Sequence, residues 1–500
     1  FIDTLKLTLL SDRNLNLDLE MNHTPRTLLS LFMFFVFALV SACATDGVGD
    51  SEALGLTPES EVGFKEVVFF SLNDVHGRID NFGKIKVIID EARKKYQSVY
   101  FVSAGDLFSG NPIVDFHPEK GYPLVDLLSK SGLDVNVIGN HEFDYGQQEL
   151  SDRMAQASFD FICSNVDAGD GLLAEVPEYT VIEHGAVKVA FVGVVETGSR
   201  GGLPLTHPKK IEGLNFQDGN AAFGRFASLK ETTGADLLVA LTHQGEEEDR
   251  ELLSQHGFID LVIGGHTNQL YGYSLNNKFM VMSGKHLETL GKTTLKLYED
   301  GRISYDFEVI DLMAAGPEDP EIVAQIAQYN NRPEFYETIG QSARDHDRRE
   351  TACFYTDALR FVSSADFTLQ NRGGVRANLD AGPITPFDIY TIDPFGNGLE
   401  AYELSVAALE DLLEQIDVSF SYSSDFTMVR SGDQIELLLN GSPLPNDQLV
   451  TLALNDYLTN EFAELFTDPT LSYELTTADY LIQYLKTLNP GPINYENCER

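Results

Sequence analysis

Gly139-Asn140-His141-Glu142-Phe143-Asp144-Tyr145-Gly146 follows directly on the apolar, β-branched run 135–138. A strand that ends in a glycine-bounded group of amide, imidazole and carboxylate delivers polar groups to the edge of a sheet, where open α/β folds bind ligands. Asn140 offers an amide oxygen to a metal. His141 and Asp144 are close enough in sequence for the carboxylate to orient and charge-stabilise the imidazole.

The same arrangement recurs along the chain. Run 67–72 ends in Asn73-Asp74-Val75-His76-Gly77-Arg78, and run 99–103 leads into Ala104-Gly105-Asp106. Runs 237–241 and 261–263 end in Thr242-His243-Gln244-Gly245 and Gly264-Gly265-His266-Thr267-Asn268. A lone Asp-x-His in a loop is most often solvated. Five strand ends supplying Asp, His and Asn within one domain predict instead a site for two metal ions, with Asp106 placed as a bridging carboxylate. Zinc or manganese suits such mixed nitrogen and oxygen ligands.

These strands, with a further one over 187–195, alternate with helical patterns from about residue 66 to 314, which predicts an α/β layered domain. Ala315-Gly316-Pro317 and Asp319-Pro320 break the pattern, and 321–329 reads as a helix within a linker over 315–337. The remainder, 338–500, mixes strands with helices such as 405–416, whose Ala408, Leu409, Leu412, Leu413 and Ile416 fall on one face. It reads as a second, smaller α+β domain.

Composition limits the partners. The chain has 500 residues, 43% of them hydrophobic, which suits two domains and excludes wholesale disorder. A formal net charge of -42 repels polyanions and argues against binding nucleic acid polymers. A phosphate substrate therefore needs local positive charge, from metal ions or a few placed arginines.

At the N-terminal side, residues 1–20 read as lying upstream of the true start at Met21. Arg26, an apolar stretch over 28–40 and the ending Val40-Ser41-Ala42-Cys43 have the layout of a signal segment, 21–42, too short to span a membrane comfortably. Its ending resembles the bacterial lipobox, which makes Cys43 the lipidated residue and 43–65 an acidic tether. Ala44 in place of aspartate favours an outer-membrane address in a Gram-negative source, and the cell surface otherwise. The other cysteines, Cys163, Cys353 and Cys498, are an odd, sparse set and predict no disulfide framework, with Cys163 a buried core thiol.

On these motifs the chain resembles the calcineurin-like metallophosphoesterases and, among them, the 5'-nucleotidase/UDP-sugar hydrolase family. The resemblance implies an α-β-β-α sandwich. It implies that Asp74, His76 and Asn268 hold one divalent ion, that Asn140, His243 and His266 hold the other, and that Asp106 bridges them. His141, oriented by Asp144, is then the catalytic histidine that is not a ligand. Asn268 stands where many relatives have His or Gln, a departure that bears on metal preference.

Asn371-Arg372-Gly373-Gly374-Val375-Arg376, Gly382-Pro383-Ile384-Thr385 and Pro394-Phe395-Gly396-Asn397 resemble the family's C-terminal signature. By that likeness Asn371, Arg376 and Phe395 bind substrate. The family's glycine-rich loop with a second base-stacking aromatic is missing after Asn455-Asp456-Tyr457-Leu458, leaving Phe462 or Phe466 as substitutes. The remaining histidines, His117, His184, His207, His256, His286 and His346, read as solvated or packing residues. The expected activity is hydrolysis of phosphate esters, foremost nucleoside 5'-monophosphates. UDP-sugar or 2',3'-cyclic nucleotide hydrolysis, a thiosulfohydrolase-like reaction, and a non-catalytic metal-dependent binding lipoprotein are the alternatives.

Overall fold

Parallel pairing of Phe64–Leu72 with Val99–Ser103, in the register Val68 to Val99, brings two of the motif-bearing strands to the same sheet edge. The computed structural model describes residues 63–498, apart from 199, 200, 417, 489, 490 and 497. The expectations for the start site, the signal segment, Cys43 and nearly all of the tether lie outside the described residues.

Two six-stranded sheets form the centre of the first half. One runs Ile303–Asp311, Thr289–Tyr298, Phe64–Leu72, Val99–Ser103, Val135–Val137, Asp160–Ile162. The other runs Leu270–Leu275, Lys278–Ser283, Leu261–Gly264, Leu237–His243, Val187–Val195, Tyr179–His184. Each central strand is apolar on both sides because each sheet is covered on both sides. In Phe64–Leu72, Val67 and Phe69 enter the core between the sheets with Phe191, Val239 and Leu241. Val68, Phe70 and Leu72 face outward to the helices Phe82–Lys95 and Tyr122–Ser131, through Ile85, Ile89, Leu124 and Leu128. Beyond the second sheet, Phe223, Leu252 and Leu253 pack on Val192 and Leu238. The expected α-β-β-α sandwich is therefore the observed one.

The helix Pro320–Tyr329 begins at Asp319, whose carboxylate accepts from the backbone nitrogens of Glu321 and Ile322. After it comes a mixed five-stranded sheet ordered Phe420–Ser424, Phe367–Asn371, Leu449–Asn455, Gly398–Ser405, Leu471–Thr476. The helices Arg348–Ser363 and Thr477–Leu488 share one core with this sheet, and Val406–Gln415 shares another with it.

One expectation fails here. Cys353 and Cys498, 145 residues apart, form a disulfide that fastens the chain's last described residue to the helix Arg348–Ser363. Cys163 is a free buried thiol, as expected.

Candidate active site

The ladder between the first two strands continues past their ends. Asp74 N donates to Gly105 O at 3.0 Å, His76 N to Asp106 O at 3.0 Å and Gly77 N to Leu107 O at 2.7 Å. The two motifs are thereby zipped together, and Asp74, His76 and Asp106 all take positive φ, at 50°, 48° and 53°. His266 and Asn268 do the same at 80° and 58°. Left-handed backbone at non-glycine residues costs roughly 1–3 kcal/mol each and gathers where function over-determines the geometry. Glycines clear the space around these side chains. A Cβ on Gly105 or Gly265 would come within 2.7 Å or 2.8 Å of His243 Nδ1, so the buried imidazole fits only between bare backbones.

Asp106 is the centre. Its Oδ2 is 3.0 Å from His243 Nε2 and 3.9 Å from both His76 Nε2 and His141 Nε2. Asp74 Oδ1 is 3.9 Å from His76 Nε2, and Asn140 Oδ1 is 3.2 Å from His266 Nδ1. Asn268 lines the same cavity, with its amide nitrogen donating to His266 O at 3.2 Å. All seven residues expected to bind metal are thus in one place. Two sets of three, His76 with Asp106 and His141, and Asp106 with His243 and His266, each offer ligand atoms within 4.8 Å of one another.

The donor chemistry fits a cation. His243 Nδ1 donates to the Ala104 carbonyl at 2.7 Å, so Nε2 presents a lone pair to Asp106, with which it makes no hydrogen bond. Asp74 Oδ1 is likewise buried without a partner. With the ring neutral, that lone pair beside a buried carboxylate calls for a cation between them; without one, burial opposes the charge but Asp106 outweighs it and raises the His243 pKa to about 10. His76 follows the same pattern: Nδ1 donates to Ser109 O at 3.2 Å and leaves Nε2 for the site. Burial pushes Asp74 up to about 6 and, with the charge of His243, pushes His266 down to about 4, both toward their neutral forms.

His141 is held differently. Its Nδ1 lies 2.6 Å from Asp144 Oδ2, and Asp144 Oδ1 accepts from Thr206 Oγ1 at 2.9 Å. Burial opposes the charged imidazole, yet the charges of Asp144 and Asp106 leave its pKa raised. Nε2 is free to face the cavity.

The second half closes the site. Arg376 Nη2 is 3.5 Å from His76 Nε2, and its guanidinium carbon lies 5.8 Å from the Phe395 ring centroid. Phe395 stacks on His141 with centroids 5.9 Å apart and planes at 20°. Asn371 Oδ1 accepts from Asn455 Nδ2 at 3.0 Å, which leaves its amide hydrogens for a ligand. The three residues expected to bind substrate therefore line one cavity of about 450 Å³ with the metal cluster.

Two expectations need correction. Phe462 and Phe466 are both buried in the core with Leu452 and Leu454 and do not line the cavity, where Tyr457 stands instead. Of the histidines read as packing residues, His207 lines the cavity, and His286 lies 5.6 Å from the His76 ring with its backbone nitrogen bonded to Asp74 O.

Glu142 stands in the strand-end motif with no role assigned to it from sequence. Fully buried, it accepts from Asp106 N at 3.0 Å, Leu107 N at 2.6 Å and Gly139 N at 2.5 Å. It staples the Asp106 loop to the Asn140 loop. Asn73 does similar work: its Nδ2 donates to Asp74 Oδ2 at 2.6 Å and to Gly284 O at 2.6 Å. Nothing in the residue types alone distinguishes these supports from solvated loop residues.

Known proteins share this architecture. Residues 68–270 match the calcineurin-like phosphoesterase family, and residues 325–482 match the 5'-nucleotidase C-terminal domain. Endonuclease YhcR of Bacillus subtilis is 26% identical over 452 residues, covering 78% of this chain; the chain spans only 36% of that protein's length. A 5'-nucleotidase of Vibrio vulnificus is 24% identical over 456 residues, covering 76% of this chain and 79% of the relative. The crystal structure of a 5'-nucleotidase precursor from Thermus thermophilus superposes with a TM-score of 0.73 at 20% identity, covering 85% of this chain and 97% of that one. This last likeness is one of fold.

Proposed function

Because residues 68–270 match the calcineurin-like phosphoesterase family and residues 325–482 the 5'-nucleotidase C-terminal domain, we propose that the chain hydrolyses phosphate esters with two divalent metal ions, foremost nucleoside 5'-monophosphates. The observation that carries the reading is the convergence on Asp106 Oδ2 of His243, His76 and His141 within 3.9 Å, beside a histidine paired to its own carboxylate.

Asp74, His76 and Asn268 would hold one ion and Asn140, His243 and His266 the other, with Asp106 available to both. Zinc or manganese held there would supply Lewis acidity toward the phosphoryl oxygens and a water of lowered pKa. His141 Nε2, with Asp144 fixing the opposite nitrogen, stabilises charge at the phosphoryl group and gives a proton to the leaving oxygen. Arg376 holds a phosphoryl oxygen through its planar fork, and Phe395 offers a face to a base. Asn371 donates its amide hydrogens to the substrate.

The Cys353–Cys498 disulfide supports export to an oxidising compartment. We read Cys43 as the lipid anchor, with an outer-membrane or periplasmic place in a Gram-negative source. Loss of the acyl mass in Cys43→Ala, with release from membranes, is the expected result, and an unchanged membrane fraction would refute it.

The experiment for the activity is a phosphate-release screen over nucleoside monophosphates, UDP-sugars and 2',3'-cyclic nucleotides with zinc, manganese, magnesium and calcium. Metal-dependent turnover of nucleoside monophosphates is expected. Tight metal binding without turnover of any phosphate ester would sink the reading.

A further inference from the structure

Two imidazoles beside Asp106 are backed in different ways. His243 donates to the Ala104 carbonyl, and Ala104 is itself held by the sheet, its nitrogen donating to Leu72 O at 2.9 Å. His76 donates instead to the Ser109 carbonyl, in a loop that belongs to no strand or helix. Ser109 takes a left-handed φ of 65°, and its hydroxyl is buried without a hydrogen-bond partner. Among the described residues Ser109 makes no backbone-to-backbone hydrogen bond, so the direction of its carbonyl is set from outside the loop.

A buried pair supplies the hold. Asp115 Oδ2 accepts from Gly110 N at 3.0 Å and from Asn111 N at 2.9 Å. The Gly110 N–H belongs to the same peptide unit as the Ser109 carbonyl, and in a planar trans peptide the two point in opposite directions. Asp115 on one side of that unit therefore aims the carbonyl at His76 on the other. Asp115 Oδ1 accepts from the Tyr145 hydroxyl, whose oxygen in turn accepts from Ser109 N at 3.2 Å. The Tyr145 ring packs on Phe108 with centroids 4.9 Å apart. Asp115, Tyr145, Ser109 and His76 are all buried, so these bonds are made away from bulk solvent, where they are electrostatically stronger.

We propose that Asp115, held by Tyr145, is a positioning residue that acts on His76 through the intervening peptide and sets how tightly the ion on the His76 side is bound, leaving the ion on the His243 side alone. This rests on the two-metal reading above. A metal-binding imidazole is commonly backed by a carboxylate or carbonyl that keeps its ligating nitrogen bare and aimed. Here the carboxylate works at one remove: it orients the peptide and, by polarising it, strengthens the carbonyl as an acceptor for His76 Nδ1–H. Tyr145 comes from the same strand-end motif as His141, so that motif supports His76 from behind as well as carrying the catalytic histidine.

The test titrates zinc, by calorimetry, into chelator-stripped wild type, Asp115→Asn, Tyr145→Phe and the double variant. Asp260→Asn, which changes a buried carboxylate at the far end of the strand Leu261–Gly264 from His266, is the control and should bind zinc as the wild type does. The wild type is expected to bind two ions per chain. Asp115→Asn should weaken one of them about 10–100-fold and spare the other, Tyr145→Phe should weaken the same one by less, and the double variant should fall no further than Asp115→Asn. Nitrogen-15 NMR of the metal-free protein should show the His76 ring in its Nδ1–H form in the wild type and in a mixture of both forms in the variants. Tyr145→Phe keeps the ring that packs on Phe108 and decides the matter by itself where Asp115→Asn does not fold. Two ions bound equally well by wild type and variants, both weakened alike, or a His76 ring that stays in the Nδ1–H form throughout overturns the assignment and leaves the phosphoesterase reading intact. A wild type that binds no divalent ion overturns both.

Discussion

His243 Nε2 lies 3.0 Å from Asp106 Oδ2 while its Nδ1 is committed to the Ala104 carbonyl. With the ring neutral the pair offers a nitrogen and a carboxylate oxygen to a cation; without a cation Asp106 holds a proton on the ring. Removal of divalent ions by a chelator should abolish activity and lower the unfolding midpoint, and zinc or manganese should restore both. A ligand at 100 times its Kd adds about 2.7 kcal/mol to the folded state. Calorimetry with and without chelator measures this, and an unchanged midpoint would count against a metal at this site.

Replacing His141 with Ala should lower kcat by roughly 10²–10⁴, because it removes the proton donor and leaves the other convergent groups in place. Metal content by elemental analysis should stay near two ions per chain. Asp144→Asn should also slow turnover and should move the alkaline limb of the pH profile to lower pH, since burial lowers the His141 pKa and Asp144 is the larger of the two carboxylate charges that raise it.

Glu142→Ala strips acceptors from three buried backbone N–H groups on two loops. Each orphaned donor costs on the order of 1–3 kcal/mol, so several kcal/mol should be lost in a denaturant titration of the metal-free protein. Glu142→Gln keeps one acceptor oxygen and should lose less. Equal stability for the two variants would mean that the staple has no energetic weight.

Asp393 is fully buried, accepts from Tyr355 and Thr477, and is pushed by burial up to about 6. A carboxyl whose folded pKa is raised stabilises the fold below its unfolded value of 3.8, and that contribution is lost as pH rises through about 6. Relative to Asp393→Asn, the wild type should lose roughly 3 kcal/mol between about pH 4 and pH 6.5. Parallel urea titrations across that window read the difference, and a flat difference refutes the assignment.

The Cys353–Cys498 bridge closes a loop 145 residues long. Cys353→Ser or Cys498→Ser should cost about 2–4 kcal/mol, read as a lower melting midpoint under non-reducing conditions. The phosphoesterase site lies elsewhere in the chain and should keep its metal in either variant.

Much of the candidate site was legible because its polar residues sit at the ends of strands. Asp74, Asp106, Asn140, His243 and His266 each follow an apolar run, and parallel neighbours in a sheet bring such ends together whatever the intervening helices are. The α/β layering was likewise readable from alternating runs and helical patterns, while the two-sheet sandwich followed from the family resemblance. His207 and Glu142 gave no comparable signal. Their contacts are with residues between three and more than two hundred positions away, at Asp456, Gly139 and Asp106.

Local pattern and strand-end chemistry, both carried by short stretches of chain, were enough for the sequence alone to determine the layered fold and to single out the polar residues that converge in the candidate site. Which ring faces the substrate, which cysteines pair and which turn completes the cavity were decided only in three dimensions. Tyr457 lines the cavity because Phe462 and Phe466 are drawn into the apolar core around Leu452, and Cys498 reaches Cys353 because the chain end packs beside it. Such contacts follow from competition for burial among distant segments, and no window of neighbouring residues encodes that competition.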